Sequence, residues 1–308
     1  MPNPFRFLYK MCTDIQYRTL FLNSKNFYKN LTDEQLIIKL YKANLKDTPD
    51  LENPTLFTEK LNWLKLYDHR PEYIRMADKY EVKQYVSEKL GPNYVLPALG
   101  VWEHFDDIDF DALPDQFVLK CTHDSGGFVV CKDKSTFDKA AAKAKIERCL
   151  SMNYFRYHRE WVYKNIKPRI IAEPYLDSLG KPDSIEYKLT CCDGKMKMFT
   201  VCRGVAHDSL DVRTNDHYDR EGNILPFYAF YKNSPVPVPM PPEKDEIIAA
   251  AEKLSEGIPQ VRVDFYVHNG HVYFGEMTFY TWAGFIEFTP PEWNKTLGDW
   301  VTLPEKRI

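Results

Sequence analysis

A β-hairpin signal near the C-terminal end constrains the fold of this chain more than any other stretch. Residues 261–285 read VRVDFYVHNGHVYFGEMTFYTWAGF, and two β-rich runs flank the pair Asn269-Gly270. Asparagine and glycine tolerate the positive φ angles that a tight turn requires. The stretch therefore predicts two antiparallel strands joined by a short connection, around which the rest of the chain is organised.

Charged side chains stand within both predicted strands. Arg262 and Asp264 lie on the first strand, and Glu276 lies on the second. A carboxylate is costly to place in a sheet unless a cation pairs with it, and hard divalent cations prefer oxygen ligands on a stiff frame. The two carboxylates predict a metal site; the alternative is an ordinary surface hairpin with exposed carboxylates.

The alternation of side chains along a strand sets a condition on this metal site. With a strict two-residue loop, Asp264 would lie opposite Gly275, and Glu276 would point to the other face of the sheet. The carboxylates share a face only if the Asn269-Gly270 connection holds one odd residue, as a three-residue loop or a bulge. We therefore predict that extra residue.

Length and composition restrict the class of protein. A chain of 308 residues corresponds to about two domains, and 44% hydrophobic with 15% aromatic residues indicates a globular protein with a substantial core. The formal net charge of −3 argues against a general nucleic-acid surface. No apolar run reaches about 18 residues, so the sequence predicts no transmembrane segment.

The cysteines and the N-terminal residues bear on location. The chain has 7 cysteines, none in a CxxC pair, which favours reduced, mostly buried thiols in a cytoplasmic protein. Residues 1–21 lack the uninterrupted apolar core of a secretory signal. We expect an N-terminal arm docked on the protein; the alternative is an amphipathic segment that makes a peripheral contact with a membrane or a partner.

Helix signals dominate the N-terminal third of the chain. Residues 32–35 (TDEQ) have the spacing of a capping box and predict a helix. Further helices are predicted over residues 58–67 and 78–90, the latter with Asp78 as its cap. Lys79 would then lie in the first helical turn, where it either faces solvent or meets an anion at the helix N-terminus.

A small-residue loop follows a strand that ends in lysine. Residues 117–120 predict a strand ending at Lys120, residues 121–127 read CTHDSGG, and residues 128–131 predict a second strand. Glycines let backbone N–H groups approach a polyphosphate, and the lysine supplies positive charge. The Walker pattern GxxxxGK[ST] is absent, so a plain hairpin loop is the alternative to a phosphate cover.

The remaining segments complete a mixed helix and strand order. A strand over residues 169–173 ends in Glu173, and helices and strands are predicted over 135–150 (helix), 151–162 (helix), 185–191 (strand), 195–203 (strand) and 242–256 (helix). Residues 205–242 have little periodicity, which is typical of a functional segment.

The order of these segments resembles the ATP-grasp superfamily, and within it the TupA-like family of teichuronopeptide biosynthesis. The segments are MADKYEVKQYV, FVLKCTHDSGG, IIAEPYLD, EYKLTCCDGK, YDREGN, VRVDFY and FGEMTFY. The resemblance implies an α+β fold that clamps a nucleotide between two subdomains. It further implies a helical N-terminal region over residues 1–115, a small subdomain with the glycine-rich loop over 116–176, and a C-terminal subdomain with the metal hairpin over 177–308.

The resemblance also implies roles for individual residues. The residues implied to bind ATP are Lys79 and Lys120 at the phosphates, Ser125, Gly126 and Gly127 as the covering loop, Glu173 and Leu176 at the adenine hinge, and Glu186 or Lys188 at the ribose or phosphates. Magnesium, as two ions, would be held by Asp264, Glu276 and Thr278. Many superfamily members have asparagine where this chain has Thr278, whose hydroxyl can still ligate magnesium.

The activity implied by the resemblance is that of a Mg-ATP-dependent carboxylate–amine ligase. ATP would convert a carboxylate into an acyl phosphate, with Lys120 and Arg262 neutralising the transferring phosphate, and an amine would then displace phosphate. Arg203 and Arg213 are candidates to hold the carboxylate, within an acceptor region at residues 203–231. His207 and His217 are candidates for proton handling, with solvent-facing histidines as the alternative.

The substrate and the outcome of the reaction leave alternatives open. The family occurs in surface-polysaccharide gene clusters, so the implied substrate is a sugar-linked or amino-acid carboxylate of a capsule or cell wall. One alternative is a kinase on the same fold that phosphorylates a hydroxyl. Another is a non-catalytic nucleotide-binding protein, which the presence of both Asp264 and Glu276 disfavours.

Overall fold

The computed structural model describes residues 4–178, 181, 183–204 and 212–308. Within these residues the chain has an α+β architecture. The α-helices are α1 (Pro4–Thr13), α2 (Ile15–Ser24), α3 (Asp33–Leu45), α4 (Phe57–Tyr67), α5 (Glu72–Ala77), α6 (Glu81–Leu90), α7 (Lys139–Leu150), α8 (Phe155–His158), α9 (Lys244–Leu254) and α10 (Trp293–Asp299). The strands are β1 (Gly100–Trp102), β2 (Phe117–Cys121), β3 (Phe128–Cys131), β4 (Ile170–Pro174), β5 (Ile185–Cys192), β6 (Lys195–Arg203), β7 (Thr214–Tyr218), β8 (Tyr228–Ala229), β9 (Val261–His268), β10 (His271–Thr278) and β11 (Phe288–Thr289).

Two antiparallel sheets carry the candidate site. The larger sheet has five strands in the order β10-β9-β5-β6-β7, and the smaller has four in the order β1-β4-β2-β3. The predicted turns Asp193-Gly194 and Asn269-Gly270 join β5 to β6 and β9 to β10, and all four turn residues have positive φ. Both turns use residues that tolerate this conformation, and for this reason the two hairpins could be predicted from the sequence.

The two faces of the larger sheet have opposite character. One face packs against α9, where Ile247, Ala251 and Leu254 are fully buried against strand residues such as Leu189 and Val263. The other face carries polar residues at the alternate positions of the same strands. Because side chains alternate across a strand, burying one set in the core presents the other set to the opposite side.

The smaller sheet packs on α7. Phe117 and Leu119 of β2 are fully buried against Ala142 and Ile146 of α7. The intervening strand positions face away from this core, and Lys120 is one of them. The core of the small sheet therefore directs Lys120 toward the larger sheet's side of the molecule, where its charge acts on Glu186 and Glu276.

The extra residue predicted for the β9–β10 hairpin is present. Asp264 pairs directly with Glu276, and the register shifts between Phe274 and Glu276. The Asn269-Gly270 connection is a strict two-residue turn, however, with His268 opposite His271. The prediction of an odd residue as a bulge is confirmed, but its placement in the connection was wrong: the bulged residue is Gly275, inside β10.

The capping box at Thr32 is confirmed, whereas the helix predicted over residues 78–90 was wrong at its start. α5 ends at Ala77 and α6 begins only at Glu81, so residues 78–80 connect the two helices. The Asp78 carboxylate accepts hydrogen bonds from the backbone N–H groups of Tyr80 (2.7 Å) and Glu81 (3.1 Å). Lys79 therefore lies in the connection between two helices, because Asp78 satisfies the first free N–H groups of α6 from outside it.

The helix predictions after the glycine-rich loop were too long. The first begins at Lys139, because the Asp138 side chain accepts from Ala141 N (2.9 Å) and caps α7 there. In the segment 151–162 only α8 is α-helical, and it ends at Arg159 in the left-handed conformation (φ 55°). These breaks place Glu160 and its neighbours in an irregular segment.

The N-terminal arm is docked, as expected. Phe7 of α1 packs edge-on against Phe21 of α2, with ring centroids 5.1 Å apart, and Asn23 donates a 2.7 Å hydrogen bond to the carbonyl of Tyr157. Phe5 and Tyr9 on α1 remain largely exposed. None of the helices in the described ranges combines the length and apolar character needed to span a membrane.

Candidate functional site

A cavity of about 580 Å³ lies over the polar face of the larger sheet. Its other walls come from Lys79 before α6, from Asp124 and Ser125 of the glycine-rich loop, from the irregular segment around Glu160, and from the loop after β10. The cavity thus joins parts of the chain that are far apart in sequence. Concave sites of this size with a few convergent polar groups are typical of small-molecule binding sites.

A row of polar side chains crosses the larger sheet beneath this cavity. The strand registers pair Glu276 with Asp264, Asp264 with Lys188, Lys188 with Thr200, and Thr200 with His217. Each residue comes from a different one of the five strands. Because directly opposed residues share a face, all five side chains point to the same side of the sheet.

Arg262 holds the two predicted metal ligands together. Its Nε lies 2.6 Å from Asp264 Oδ1, and its Nη2 lies 2.7 Å from Asp264 Oδ2 and 2.9 Å from Glu276 Oε1. This fork-shaped contact sets the geometry of both carboxylates. Burial by itself would raise the pKa of Asp264, but Arg262 and Lys188 lower it, so Asp264 is ionised.

Lys188 joins the same charge cluster. This bears on which of Glu186 and Lys188 approaches the ribose or phosphates of the nucleotide. Lys188 Nζ donates to Glu186 Oε2 at 2.9 Å and to Asp264 Oδ2 at 2.7 Å. Burial opposes the charge of Lys188, but the two carboxylates outweigh it and raise its pKa. Lys188 lies beside Asp264 in the cavity wall, and Glu186 is joined to Asp264 through Lys188.

Thr278 reaches Glu276 from the next position on the same face of β10. Its hydroxyl donates to Glu276 Oε1 at 3.0 Å. Both Arg262 and Thr278 therefore contact Oε1, and the Glu276 side chain is 47% exposed. The second oxygen, Oε2, accepts no hydrogen bond from the described residues and faces the open side of the site.

Glu173 forms a second charge cluster on the smaller sheet. Lys120 Nζ lies 2.6 Å from Glu173 Oε2, and Lys83 Nζ pairs with Glu173 Oε1. Burial by itself would raise the pKa of Glu173, but Lys120 and Lys83 together lower it to about 2. No role was predicted for Lys83, although it stands four residues after Lys79 in the segment MADKYEVKQYV.

The glycine-rich loop has two glycines with different physical needs. Gly126 has φ +90°, a conformation that a side chain disfavours. A Cβ on Gly127 would lie 2.2 Å from Asp124 Oδ2, so a side chain at this position would displace the Asp124 carboxylate. Lys79 Nζ donates to the carbonyl of Asp124 and lies 4.0 Å from its carboxylate, which ties Lys79 to this loop and not to an anion on α6.

The predicted acceptor region also contributes to the wall of the cavity. Arg203, Arg213 and Tyr231 line it, and Arg213 Nη1 donates to the Tyr231 hydroxyl at 3.0 Å. His217 faces the cavity but is only 4% exposed, stacks on Phe227 at 4.4 Å and bonds to the Thr200 hydroxyl at 2.9 Å. The solvent-facing alternative for His217 was therefore wrong. His207 lies outside the described residues.

Burial also limits what His217 can do. It lowers the pKa of His217 to about 4, so the ring is neutral around neutral pH. A group that is to exchange protons near neutral pH needs a pKa close to that pH. We therefore assign His217 to the wall of the site and not to proton transfer.

Nine of the predicted site residues line the cavity directly: Lys79, Ser125, Lys188, Arg203, Arg213, His217, Arg262, Glu276 and Thr278. Asp264 and Glu186 are joined to that wall through Lys188. Lys120 and Glu173 form the neighbouring cluster on the smaller sheet, with Gly126 and Gly127 in the loop after β2. Leu176 lies just beyond β4, partly buried, outside the cavity lining.

Asp264 and Glu276 have the chemistry that a hard divalent cation requires. Magnesium is typically held by one or two carboxylates together with substrate phosphates, and Glu276 Oε2 is open to such an ion. Asp264 already accepts hydrogen bonds from Arg262 and Lys188. Its oxygens would therefore be shared between the metal ion and these two side chains. No group of three or more His, Cys, Asp or Glu side chains suited to a metal forms among the residues the structure describes, which leaves the carboxylate pair as the candidate.

One family model matches most of the chain. The family model described as "TupA-like ATPgrasp" matches residues 59–302. Similar solved structures are the D-alanine–D-alanine ligase of Bacillus anthracis (16% identity, TM-score 0.38, 72% of this chain and 59% of that chain), that of Helicobacter pylori (15%, 0.44, 82% and 68%) and D-cycloserine synthetase DcsG (17%, 0.40, 73% and 69%). The match spans less than two thirds of the Bacillus anthracis ligase. No curated protein matches the chain.

Proposed function

The chain belongs to the TupA-like ATP-grasp family, and on that premise we propose that it is a Mg-ATP-dependent carboxylate–amine ligase. The observation that carries the proposal is the cluster of Arg262, Asp264 and Glu276 beside Lys188 in the cavity wall. Phosphoryl transfer depends on positioned positive charge and on a metal held by carboxylates, and this cluster holds both.

The nucleotide would lie between the two sheets. Lys120 and Lys79 supply positive charge at the phosphates, and Ser125, Gly126 and Gly127 form the loop that covers them. Glu173 orients Lys120 through its 2.6 Å contact, while Leu176 and the backbone after β4 border the base. In this arrangement residues 116–176 act as the small subdomain, residues 177–308 as the subdomain with the metal hairpin, and residues 1–115 as a helical support.

The reaction needs no side-chain nucleophile. Magnesium, as two ions bound by Asp264 and Glu276 with Thr278 nearby, supplies charge neutralisation at the phosphates when bound. Arg262 stabilises the phosphoryl group as it moves from ATP to the substrate carboxylate, which gives ADP and an acyl phosphate. Arg203 and Arg213 hold the carboxylate substrate from the cavity wall, and an amine then displaces phosphate to form the amide.

The substrate class follows from the family and from the acceptor wall. The family is named for teichuronopeptide biosynthesis, so the proposed acceptor is a sugar-linked or amino-acid carboxylate of a capsular or cell-wall polysaccharide, modified in the cytoplasm. Arg203, Arg213 and Tyr231 line the cavity. Guanidinium groups suit the planar recognition of a carboxylate.

The test is ADP release against a panel of uronic acids and amino acids, each with and without a panel of amines. A ligase yields ADP, free phosphate and an amide in equal amounts, and it needs both substrates. A kinase would leave phosphate on a hydroxyl acceptor, and a nucleotide-binding protein without activity would bind ATP but release no ADP with any pair. Either result would overturn the ligase proposal.

A further inference from the structure

The cavity contains a buried carboxylate that the reaction described above does not use. Glu160 lies between α8 and the 3₁₀ turn Trp161–Tyr163, is 6% exposed and lines the cavity. Of the basic nitrogens on described residues, only His158 Nδ1 comes within 4.0 Å of its carboxylate, at 3.8 Å from Oε1. That separation is too long for a hydrogen bond.

Neither neighbouring base neutralises Glu160 by contact. Burial lowers the pKa of His158 to about 4, so its ring is neutral around neutral pH. Lys65 is buried nearby, but its ammonium donates to Asn62 Oδ1 (2.9 Å), to the carbonyl of His158 (3.1 Å) and to the carbonyl of Ala283. These contacts use all three donors of a lysine.

Glu160 is therefore a carboxylate without a hydrogen-bond donor among the residues that the structure describes. Burial raises its pKa, as expected for a charge removed from water. The fully enclosed side-chain atoms that lack a partner among the described residues do not include the Glu160 oxygens, so these oxygens can be reached from the cavity. Because Glu160 borders a cavity, a ligand that donates hydrogen bonds is the simplest partner.

Aromatic rings surround the space in front of Glu160. Tyr154 and Tyr163 line the same cavity, with ring centroids 5.0 Å apart in an edge-on arrangement. Burial first and the charge of Glu160 second raise the pKa of both tyrosines, so the charge of Glu160 acts on both rings in this cavity. A carboxylate beside aromatic faces is an arrangement that attracts organic cations.

The same tyrosines connect Glu160 to the phosphate side of the cavity. The Tyr154 hydroxyl contacts the side chain of Ser125, and the charge of Glu276 acts on Tyr154 and Tyr163 alike. A cation held at Glu160 would thus lie in the same cavity as Glu276 of the metal hairpin. The second substrate of a ligase must enter that cavity to reach the acyl phosphate.

We propose that Glu160 is the amine site of this enzyme, where it binds the ammonium group of a primary amine and accepts its proton; the inference rests on the proposed ligase function. One proton passes from R–NH₃⁺ to the Glu160 carboxylate and leaves R–NH₂. The nitrogen lone pair attacks the acyl phosphate carbon, the C–N bond forms and the C–O bond to phosphate breaks. The second proton leaves with the phosphate as HPO₄²⁻.

The binding test uses glycinamide as a cationic primary amine and acetamide as its counterpart without the amine. Saturation-transfer NMR measures the binding of each probe to the wild-type chain, to Glu160→Gln and to Glu256→Gln. Glu256 is the matched control, because its side chain is 66% exposed and pairs only with Lys89 on the surface. Glu160→Gln keeps the shape of the side chain and removes the charge.

We expect glycinamide to bind the wild type and Glu256→Gln, and acetamide to bind neither. Glu160→Gln should weaken glycinamide binding by about tenfold or more, since the ammonium loses its charged partner. Equal binding to Glu160→Gln, or no glycinamide binding to the wild type, would overturn the inference. Thermal melts check the fold, and Glu160→Asp, which keeps the charge, should retain binding if the Gln variant unfolds.

A second measurement separates this inference from the proposed function. Hydroxylamine is a neutral nucleophile around neutral pH and traps an acyl phosphate as a hydroxamate without an amine site. With the uronic and amino acid panel, Glu160→Gln should form hydroxamate at the wild-type rate while losing amide formation. If the wild type forms no hydroxamate, that result counts against the ligase function alone. If Glu160→Gln loses hydroxamate formation as much as it loses amide formation, that result contradicts the role of Glu160 at the amine.

Discussion

Asp264 and Glu276 lie directly opposite each other on β9 and β10, although the turn that joins these strands would place them on opposite faces of a regular hairpin. The register shift at Gly275 brings them together, and Arg262 then bridges both carboxylates. A bulge changes which face the following residues occupy. The candidate metal site therefore depends on one residue that carries no side chain.

The bulge should be sensitive to the size of residue 275. A Cβ on Gly275 would lie 3.1 Å from the backbone oxygen of Asp264, so Gly275→Val should lower the free energy of unfolding by about 1–3 kcal/mol through overpacking. Urea denaturation measures the change. Lys197→Val, at an exposed position of β6, is the control and should be close to neutral; a Gly275→Val variant as stable as this control would contradict the prediction.

Glu276→Gln should uncouple ATP binding from magnesium. The open Oε2 of Glu276 would become part of a neutral amide, which is a weaker ligand for a hard cation, so the gain in ATP affinity on adding magnesium should fall by about tenfold or more. Calorimetric titrations of ATP with and without magnesium measure this gain. Glu292→Gln, at an exposed position before α10, should behave as the wild type, and an undiminished magnesium effect in Glu276→Gln would remove Glu276 from the metal site.

Lys120→Ala should weaken ATP binding in the presence of magnesium by about tenfold, because it removes a charge from the phosphate side of the site. The Glu173 carboxylate would keep Lys83 as its partner, so the fold should survive. Calorimetry reports the affinity, and Lys295→Ala, whose ammonium contacts only the exposed Asp299, is the control. Unchanged affinity would exclude Lys120 from the nucleotide site.

Glu173 should make the protein sensitive to acid in a defined window. Its pKa falls from 4.5 to about 2 in the folded state, so its contribution to stability is present above the unfolded pKa and is lost as the pH falls through the folded pKa. The shift corresponds to about 3 kcal/mol. Glu173→Gln should therefore be less stable than the wild type at about pH 6, and the difference should shrink by that amount toward about pH 2.

Urea denaturation of both proteins across this range measures the effect. The exposed Glu292→Gln variant serves as the control and should follow the wild type at every pH. The contrary result is a stability difference between Glu173→Gln and the wild type that is the same at every pH. That result would show that the two lysines do not act through the charge of Glu173.

Local signals made several elements predictable. The capping box at Thr32, the Asp193-Gly194 and Asn269-Gly270 turns, and the buried β2 each depend on residues within a few positions of one another. The order of motifs was sufficient for the family, because each motif is carried by contiguous residues. The errors fell where a side chain made a helix begin later than predicted, as Asp78 and Asp138 do by capping α6 and α7.

The ion-pair partners of the charged residues could not be predicted from the sequence. Lys83 and Lys120 meet on Glu173 only because β4 pairs with β2 and α6 packs alongside. No sequence pattern predicted a role for Glu160, because the properties of its carboxylate come from burial beside Lys65, Tyr154 and Tyr163. Desolvation and long-range contacts set such environments, and neither has a local pattern.

The sequence by itself determined which residues the metal hairpin contains and that one odd residue must separate Asp264 from Glu276. It did so because alternation along a strand is a local property of the backbone. Tertiary structure alone decided that the odd residue is Gly275 and that the polar row runs from Glu276 to His217 across five strands. The physical reason is that register between strands depends on packing of the whole sheet against α9, and that packing involves residues throughout the chain.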